Sequence, residues 1–148
     1  VGELRQKPTH IIPLAINASR QGKTFSMFGD QYDTEDGTCV RDYVHVMDLA
    51  DAHIKALNHA SENTIAEVFN LGAGAPASNK ELLETVQKYT GKMDIRIEPN
   101  RPGDPAYLVA DIRKVKEILD WHPTQSSIDN IVATAVKWYN KKNNKDIQ

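Results

Sequence analysis

Short strand-like segments alternate with longer helix-like segments along this chain, and the alternation decides its fold class. Strands are predicted at residues 25–28, 68–71 and 95–97, where apolar residues run together or alternate with charged ones. Between and after them, apolar residues recur at helical spacing over residues 13–20, 49–60, 82–86, 112–119 and 128–139. Strands that alternate with helices indicate an α/β chain.

Several of these helices carry end signals. Pro13 stands in a first turn, where its missing N–H costs nothing. Asp48 is predicted to be the N-cap of the helix that follows the extended residues 44–46. Ser78 and Glu81 form a capping box, and Gly91 is expected to end that helix.

Length, charge and cysteine content limit the partners and the cellular compartment that can be expected. The chain has 148 residues, which suits one domain, and a net charge of −2 gives no reason to expect nucleic acid or an anionic membrane as partner. No run of about 18 apolar residues is present. The single cysteine, Cys39, cannot form an internal disulfide, so we expect a cytoplasmic protein. Because the chain opens at Val1 and reads there like the interior of a protein, we expect it to be part of a longer polypeptide.

One glycine-rich segment could be read as a nucleotide site. Residues 72–77 form G-x-G-x-x-A after a predicted strand, with Asp94 about 20 residues further on as a ribose ligand. However, Pro76 removes an N–H from the loop, and Ser78 already caps the helix that a phosphate would need. A plain connecting loop is the favoured interpretation.

Two arginines and one acid stand in stiff or irregular segments. Arg41 follows a long loop, and Arg101 lies among prolines and a glycine, three residues before Asp104. Arginine grips diphosphate oxygens with several donors, and a carboxylate accepts bonds from sugar hydroxyls. Taken alone, these residues could equally be surface ion-pair partners.

Other reactive residue types receive structural interpretations. Cys39 has no evident base, and His53 and His59 are six residues apart, which does not place them on one helical face for a metal. No metal site is therefore expected. Three further residues are expected to pack in the core: His45, Trp121 and Trp138.

Residues 28–50 resemble the signature segment of the UDP-glucose 4-epimerases, which are extended short-chain dehydrogenases/reductases: FGDQYDTEDGTCVRDYVHVMDLA. The Y-x-T-x-D-G-T spacing before R-D-Y-V-H-V is particular to that family. The similarity continues through residues 69–72, 101–104 and 119–121, and it covers the chain from about residue 8 to about residue 138.

The resemblance implies a fold for the whole chain. Residues 1–148 would be the carboxy-terminal, UDP-sugar-binding part of a Rossmann-type enzyme, a small mixed α/β substrate domain. Residues 44–72 would return to a dinucleotide-binding domain that this chain lacks, with the strand at 68–71 joining its parallel sheet. Since an unpaired strand edge invites pairing with another copy, we expect a homo-oligomer, such as a dimer, in which the isolated chain could exchange segments.

The resemblance also implies an activity. The family interconverts UDP-glucose and UDP-galactose by NAD-dependent oxidation and re-reduction at sugar C4, and NAD would be bound mainly by the amino-terminal half. Its catalytic Tyr-x-x-x-Lys is missing here, because position +4 from the five tyrosines holds Asp36, Met47, Met93, Asp111 and Asn143. No catalytic residue is expected in this chain, which alone should be inactive.

Seven substrate-binding residues follow from the resemblance. Ser26 and Phe28 would border the uracil, Arg41 and Arg101 would hold the diphosphate, and Asp104 would bond the ribose. Tyr43 would help to shape the pocket. Leu108 matches a wall position that family members vary, so acceptance of UDP-N-acetyl sugars stays open, as does a contact from His10, which stands where many members carry asparagine.

Three alternatives remain. The chain could belong to a sibling enzyme, such as a UDP-glucuronate epimerase or a 4,6-dehydratase, although the loop at residues 32–37 argues against that. It could be a non-catalytic UDP-sugar-binding module. It could also be a purely structural or interaction domain, which would bind no UDP and would be insensitive to Arg41→Ala.

Overall fold

The computed structural model describes residues 8–62 and 66–145. Its helices are α1 (Ile11–Arg20), α2 (Val46–Glu62), α3 (Asn79–Thr90), α4 (Arg113–Leu119) and α5 (Ile128–Lys145). Its strands are β1 (Phe25–Phe28), β2 (Val40–Arg41), β3 (Ala77–Ser78), β4 (Ile95–Glu98) and β5 (Tyr107–Leu108). The predicted α/β class is confirmed. The opening segment from Val1, expected to continue a longer polypeptide, lies outside the described residues.

Two small sheets bring distant segments together. β1 pairs in parallel with β4, and β2 pairs antiparallel with β3 and parallel with β5. The connection from β4 to β5, residues 99–106, therefore runs from the end of β1 to the strand that carries Arg41.

The larger hydrophobic cluster joins α1, α3 and α5 to β1 and β4. Its amphipathic helices turn their apolar stripes toward one another, because apolar residues recur three or four positions apart along each of them. The buried members are Ala15, Ile16, Phe25, Met27, Leu82, Leu83, Val86, Met93, Val132 and Val136.

The smaller cluster lies between α2 and α4. Its buried members are Ala52, Ile112, Val115, Leu119 and Trp121. Trp121 is fully buried, and its Nε1 donates to the Asp48 carbonyl at 3.0 Å. The core prediction is confirmed for Trp121 and for His45, which is buried, but it is wrong for Trp138, which lies half-buried on α5.

Both ends of α3 follow the sequence signals, whereas the start of α2 does not. Ser78 accepts from the Glu81 amide at 3.0 Å, and Gly91 closes α3 with φ of +95°. The prediction of Asp48 as N-cap is wrong. The helix begins two residues earlier, and the ring Nδ1 of His45 accepts from the Met47 amide at 3.1 Å.

The strand predicted at residues 68–71 is not formed in this chain. That segment lies outside the described helices and strands, and the Val68 side chain is 81% exposed. A strand requires a neighbour for its backbone groups, and none of the described strands pairs with it. On β4, Ile95 is partly buried, but Ile97, expected on the same buried face, is 45% exposed.

None of the described helices is long and apolar enough to cross a bilayer.

Candidate functional site

A cleft of about 1140 Å³ opens between α1, β1, the start of α2 and α5. Six of the seven predicted substrate-binding residues line it: Ser26, Phe28, Arg41, Tyr43, Arg101 and Asp104. They come from three segments of the chain, the first and last of which lie more than 70 residues apart, and the parallel pairings of β1 with β4 and of β2 with β5 join them. Leu108 is not among the lining residues, and its side chain on β5 is 61% exposed.

The Ser26 side chain is engaged within the sheet. Its hydroxyl donates to Glu98 Oε1 at 3.2 Å and accepts from Arg96 Nη2 at 3.3 Å. Arg96 Nε also donates to Glu98 at 2.6 Å, which closes a small polar network across β1 and β4. A ligand in the cleft would therefore meet the backbone of Ser26 rather than its hydroxyl, as the resemblance implies.

Arg101 is pre-oriented by an aromatic ring. Its guanidinium carbon lies 3.7 Å from the centroid of Phe28, a cation–π contact at the end of β1. Its backbone N–H donates to the Tyr32 hydroxyl at 3.2 Å, and its carbonyl accepts from the Asp104 amide at 3.2 Å. The head group is thus held at the mouth of the cleft in a compact turn.

Arg41 ties its own strand to the loop that contains Arg101. Its Nη1 donates to the carbonyls of Val40 at 2.9 Å and Pro105 at 2.8 Å, and its Nη2 lies 3.8 Å from Asp104 Oδ1. The two arginines therefore line one cleft, Arg101 from the loop between β4 and β5 and Arg41 from β2, which is bonded to that loop. A pair of guanidinium groups in that arrangement suits an extended anion with two charged centres, such as a diphosphate.

Tyr43 is a hydrogen-bond donor in this site. Its hydroxyl donates to Asn79 Oδ1 at 3.1 Å, at the start of α3. Burial raises the pKa of Tyr43 to about 12, although the nearby charge of Arg41 works in the opposite direction. The phenol is therefore protonated at neutral pH, and it cannot serve as a general base there.

Two histidines line the cleft. His10 precedes α1, and His45 precedes α2. Because Nδ1 of His45 accepts from a backbone amide, its Nε2 carries the proton and donates to Thr134 Oγ1 at 3.0 Å. His45 is thus a packed residue with both ring nitrogens engaged. Its backbone N–H donates to Ser126 Oγ at 2.9 Å, which fixes this wall of the cleft.

Sequence reasoning missed the residues that support the site. Tyr32, Asn79 and Thr134 each hold a residue that lines the cleft. Tyr32 belongs to the Y-x-T-x-D-G-T motif, which was a signal for it. Asn79 and Thr134 carry no local signal, because their importance depends on partners 36 and 89 residues away.

The glycine-rich segment at residues 72–77 is a connecting loop, as favoured from the sequence. The Ala73 amide donates to Asp42 Oδ1 at 2.6 Å, and a Cβ at Gly72 would lie 2.1 Å from Asp42 Oδ2. Ser78 caps the helix behind it. Because the chain's own groups occupy these donors, the segment does not fit a dinucleotide pyrophosphate.

The remaining reactive side chains have structural partners. Cys39 is buried. His53 contacts the Leu49 carbonyl at 2.7 Å, and His59 contacts Glu67 at 3.2 Å. Within residues 8–62 and 66–145, no group of three or more His, Cys, Asp or Glu side chains is arranged to hold a metal ion.

Comparison with known proteins shows which family this chain is similar to. Residues 1–72 match the model of the NAD dependent epimerase/dehydratase family. A UDP-glucose 4-epimerase of Lactobacillus helveticus is 46% identical over 142 residues, which are 94% of this chain and 43% of that protein. The chain therefore spans less than half the length of this curated relative.

Solved structures agree. The UDP-glucose 4-epimerase of Brucella ovis in complex with NAD superposes with a TM-score of 0.86 at 37% identity, covering 94% of this chain and 43% of that one. The enzyme of Bifidobacterium longum in complex with NAD⁺ and UDP gives a TM-score of 0.79 at 36% identity, covering 93% and 41%. The chain belongs to the NAD dependent epimerase/dehydratase family, and within it to the relatives of the UDP-glucose 4-epimerases.

Proposed function

We propose that this chain is the carboxy-terminal, UDP-sugar-binding part of an NAD-dependent UDP-glucose 4-epimerase. The complete protein interconverts UDP-glucose and UDP-galactose, with NAD accepting and returning a hydride at sugar C4. The observation that supports this most directly is the convergence of Arg41, Arg101 and Asp104 on one cleft beside Phe28. The domain assignment, residues 1–148 with 44–72 packing on a dinucleotide domain, belongs to the same proposal.

The arrangement supports binding rather than chemistry in this chain. The reaction needs a firm grip on the UDP part while the sugar turns, and binding energy placed on a non-reacting portion serves that purpose. Arg41 and Arg101 provide the grip, with Asp104 on the ribose. Tyr43 is protonated and points to Asn79, so it lacks the properties of the catalytic base. NAD is held mainly by the amino-terminal half, since residues 72–77 do not fit it.

Calorimetric titration of UDP into the complete protein, in which this chain is joined to its amino-terminal half, tests the binding assignment. Arg101→Ala removes the charge-assisted bonds to a phosphate, and such bonds correspond to roughly ten- to hundredfold in affinity. Arg113→Ala is a matched control, because Arg113 is exposed on α4 and pairs with Asp111. Wild-type protein that binds no UDP, or an Arg101→Ala affinity equal to that of the control, would contradict the assignment.

A substrate panel on the complete protein tests the reaction. UDP-galactose should form from UDP-glucose, whereas UDP-glucuronate should not be converted and no UDP-linked 4-keto-6-deoxy sugar should accumulate. Conversion of UDP-glucuronate would favour the sibling enzyme. UDP binding without turnover in the complete protein would favour a non-catalytic binding module.

We also propose that the protein is a homo-oligomer that works in the cytoplasm, and that the isolated chain associates with itself through the side of α2 that the dinucleotide domain would cover. The outward side of α2 exposes large apolar side chains, and such a patch marks an interaction surface. Its most exposed members are Met47 at 56%, Ile54 at 60% and Leu57 at 70%. Cys39, a buried free thiol, suits a reducing compartment.

A further inference from the structure

Tyr32 stands at the junction between the long loop after β1 and the loop that carries Arg101. Its hydroxyl accepts from the Arg101 backbone N–H at 3.2 Å. Its ring crosses the backbone of Gly29 so closely that a Cβ there would lie 2.2 Å from Tyr32 Cε2. The same Cβ would lie 2.6 Å from Asn100 Oδ1, so the residue before Arg101 approaches this point too.

The loop that presents Tyr32 is closed on itself. The Tyr32 amide donates to the Gly37 carbonyl at 2.8 Å, and the Thr34 hydroxyl donates to the Thr38 carbonyl at 2.8 Å. Asp36 accepts from the amide and hydroxyl of Thr38 and from the hydroxyl of Ser78, the N-cap of α3. These hydrogen bonds attach the loop that carries Tyr32 to the start of α3.

The protonation states of Asp36 and Tyr32 fit these hydrogen bonds. Burial disfavours a charged Asp36, but the bonds from Ser78 and Thr38 outweigh it and lower the pKa of that carboxyl. Burial, with a smaller effect from the nearby Cys39, raises the pKa of Tyr32. The phenol therefore keeps its proton at neutral pH while its oxygen accepts from the Arg101 amide.

We propose that Tyr32 is a positioning residue that holds the Arg101 backbone, so that the guanidinium stacked on Phe28 faces the diphosphate. This inference rests on the proposed function and deepens it, since it names a residue that sets the grip on the charged part of the ligand. Phe28 orients the Arg101 side chain from one side, and Tyr32 fixes its main chain from the other.

Asp104 has an anchor of its own. Arg41 bonds the adjacent Pro105 carbonyl at 2.8 Å and approaches Asp104 at 3.8 Å. Loss of the Tyr32 hydroxyl should therefore loosen Arg101 while Asp104 keeps its place. The consequence is an unequal effect on two ligands: UDP carries the phosphates that Arg101 contacts, and uridine does not.

The experiment compares UDP and uridine binding to wild-type and Tyr32→Phe protein. One lost hydrogen bond corresponds to roughly two- to tenfold in affinity, so we expect UDP to bind about fivefold more weakly while uridine changes less than about twofold. In an Arg101→Ala background, Tyr32→Phe should have no further effect on UDP. Tyr89→Phe is the control, because it deletes a hydroxyl on α3 that bonds Asp129 on α5, away from the residues that line the cleft.

Amide hydrogen exchange gives a readout that does not need a ligand. In Tyr32→Phe, the Arg101 amide should exchange faster, while the amide of residue 32 itself, which donates to the Gly37 carbonyl, keeps its protection. An equal loss for UDP and uridine, an unchanged UDP affinity or an unchanged Arg101 amide would overturn the positioning role alone. Wild-type protein that binds no UDP would overturn the proposed function and this role together.

Discussion

Replacing Asp48 with asparagine tests how firmly the start of α2 is held to the segment before α5. The Asp48 carboxylate is buried and accepts from the amides of Thr124 at 3.1 Å and Gln125 at 2.9 Å, and from the Ser126 hydroxyl. Ser126 in turn accepts from the His45 amide on the cleft wall. The substitution keeps the shape of the side chain and removes its charge and one acceptor oxygen.

The expected loss follows from these three bonds. An asparagine can still accept from Thr124 through its carbonyl oxygen, and Ser126 can turn to accept from the new NH₂ group. The Gln125 amide then faces a donor, and a buried unsatisfied group costs about 1–3 kcal/mol. Together with weaker, uncharged bonds to the others, we expect a loss of about 3 kcal/mol at pH 7, which lowers Tm by roughly 6–12 °C for a chain of this size.

The stability that the Asp48 carboxylate contributes depends on pH. Burial raises the pKa of Asp48, but the bonds from Ser126, Thr124 and Gln125 outweigh it, so the pKa in the folded protein lies below its ordinary value of 3.8. A lowered pKa stabilises the fold fully above the unfolded value, and this contribution is lost as the pH falls toward the folded value. The difference between wild type and Asp48→Asn should be constant near neutrality and shrink below about pH 4.

Urea denaturation at several pH values measures this difference. Asp51→Asn provides the matched control, because Asp51 is exposed one turn further along α2 and should change the stability by less than about 0.5 kcal/mol. Equal stability of Asp48→Asn and wild type at pH 7 would refute the reasoning. A deficit that stays constant below pH 4 would refute the role of the charge.

Two further predictions concern the loop and the exposed helix. Gly29→Ala should lower stability and UDP affinity more than Gly22→Ala in parallel denaturation and titration, because both glycines have positive φ but a Cβ at Gly29 meets the Tyr32 ring while one at Gly22 meets nothing within 4 Å. Leu57→Glu should reduce self-association in light scattering, since it charges the apolar side of α2, whereas Asn58→Glu beside it should not. A wild-type protein that stays monomeric at high concentration would contradict this second expectation.

Local chemistry explains what was predictable from the sequence. The capping box of α3, Gly91 and the apolar run of β1 act within a few residues, so they can be interpreted without tertiary context. Arg41 and Arg101 lie 60 residues apart, and their meeting was expected because a family motif surrounds each of them.

The failures share a physical cause. Asp48 has the chemistry of a cap, but its carboxylate finds stronger donors 76 to 78 residues away, and His45 caps the helix instead. The segment at residues 68–71 is apolar enough for a strand, yet a strand forms only where a neighbour offers hydrogen bonds. Both outcomes depend on distant partners that no short window of sequence contains.

The two hydrophobic clusters differ in size, and the difference has a dynamic consequence. The cluster of α2, α4 and Trp121 has five buried members against ten in the cluster of α1, α3 and α5. Regions with fewer apolar contacts open at lower free energy than the rest of a domain. We therefore expect native-state exchange to release the amides of α2 and α4 as one cooperative unit, while α3 stays closed until global unfolding. Because α2 begins next to His45, whose bonds to Ser126 and Thr134 belong to the other side of the molecule, the opening of that unit should stop short of the cleft wall.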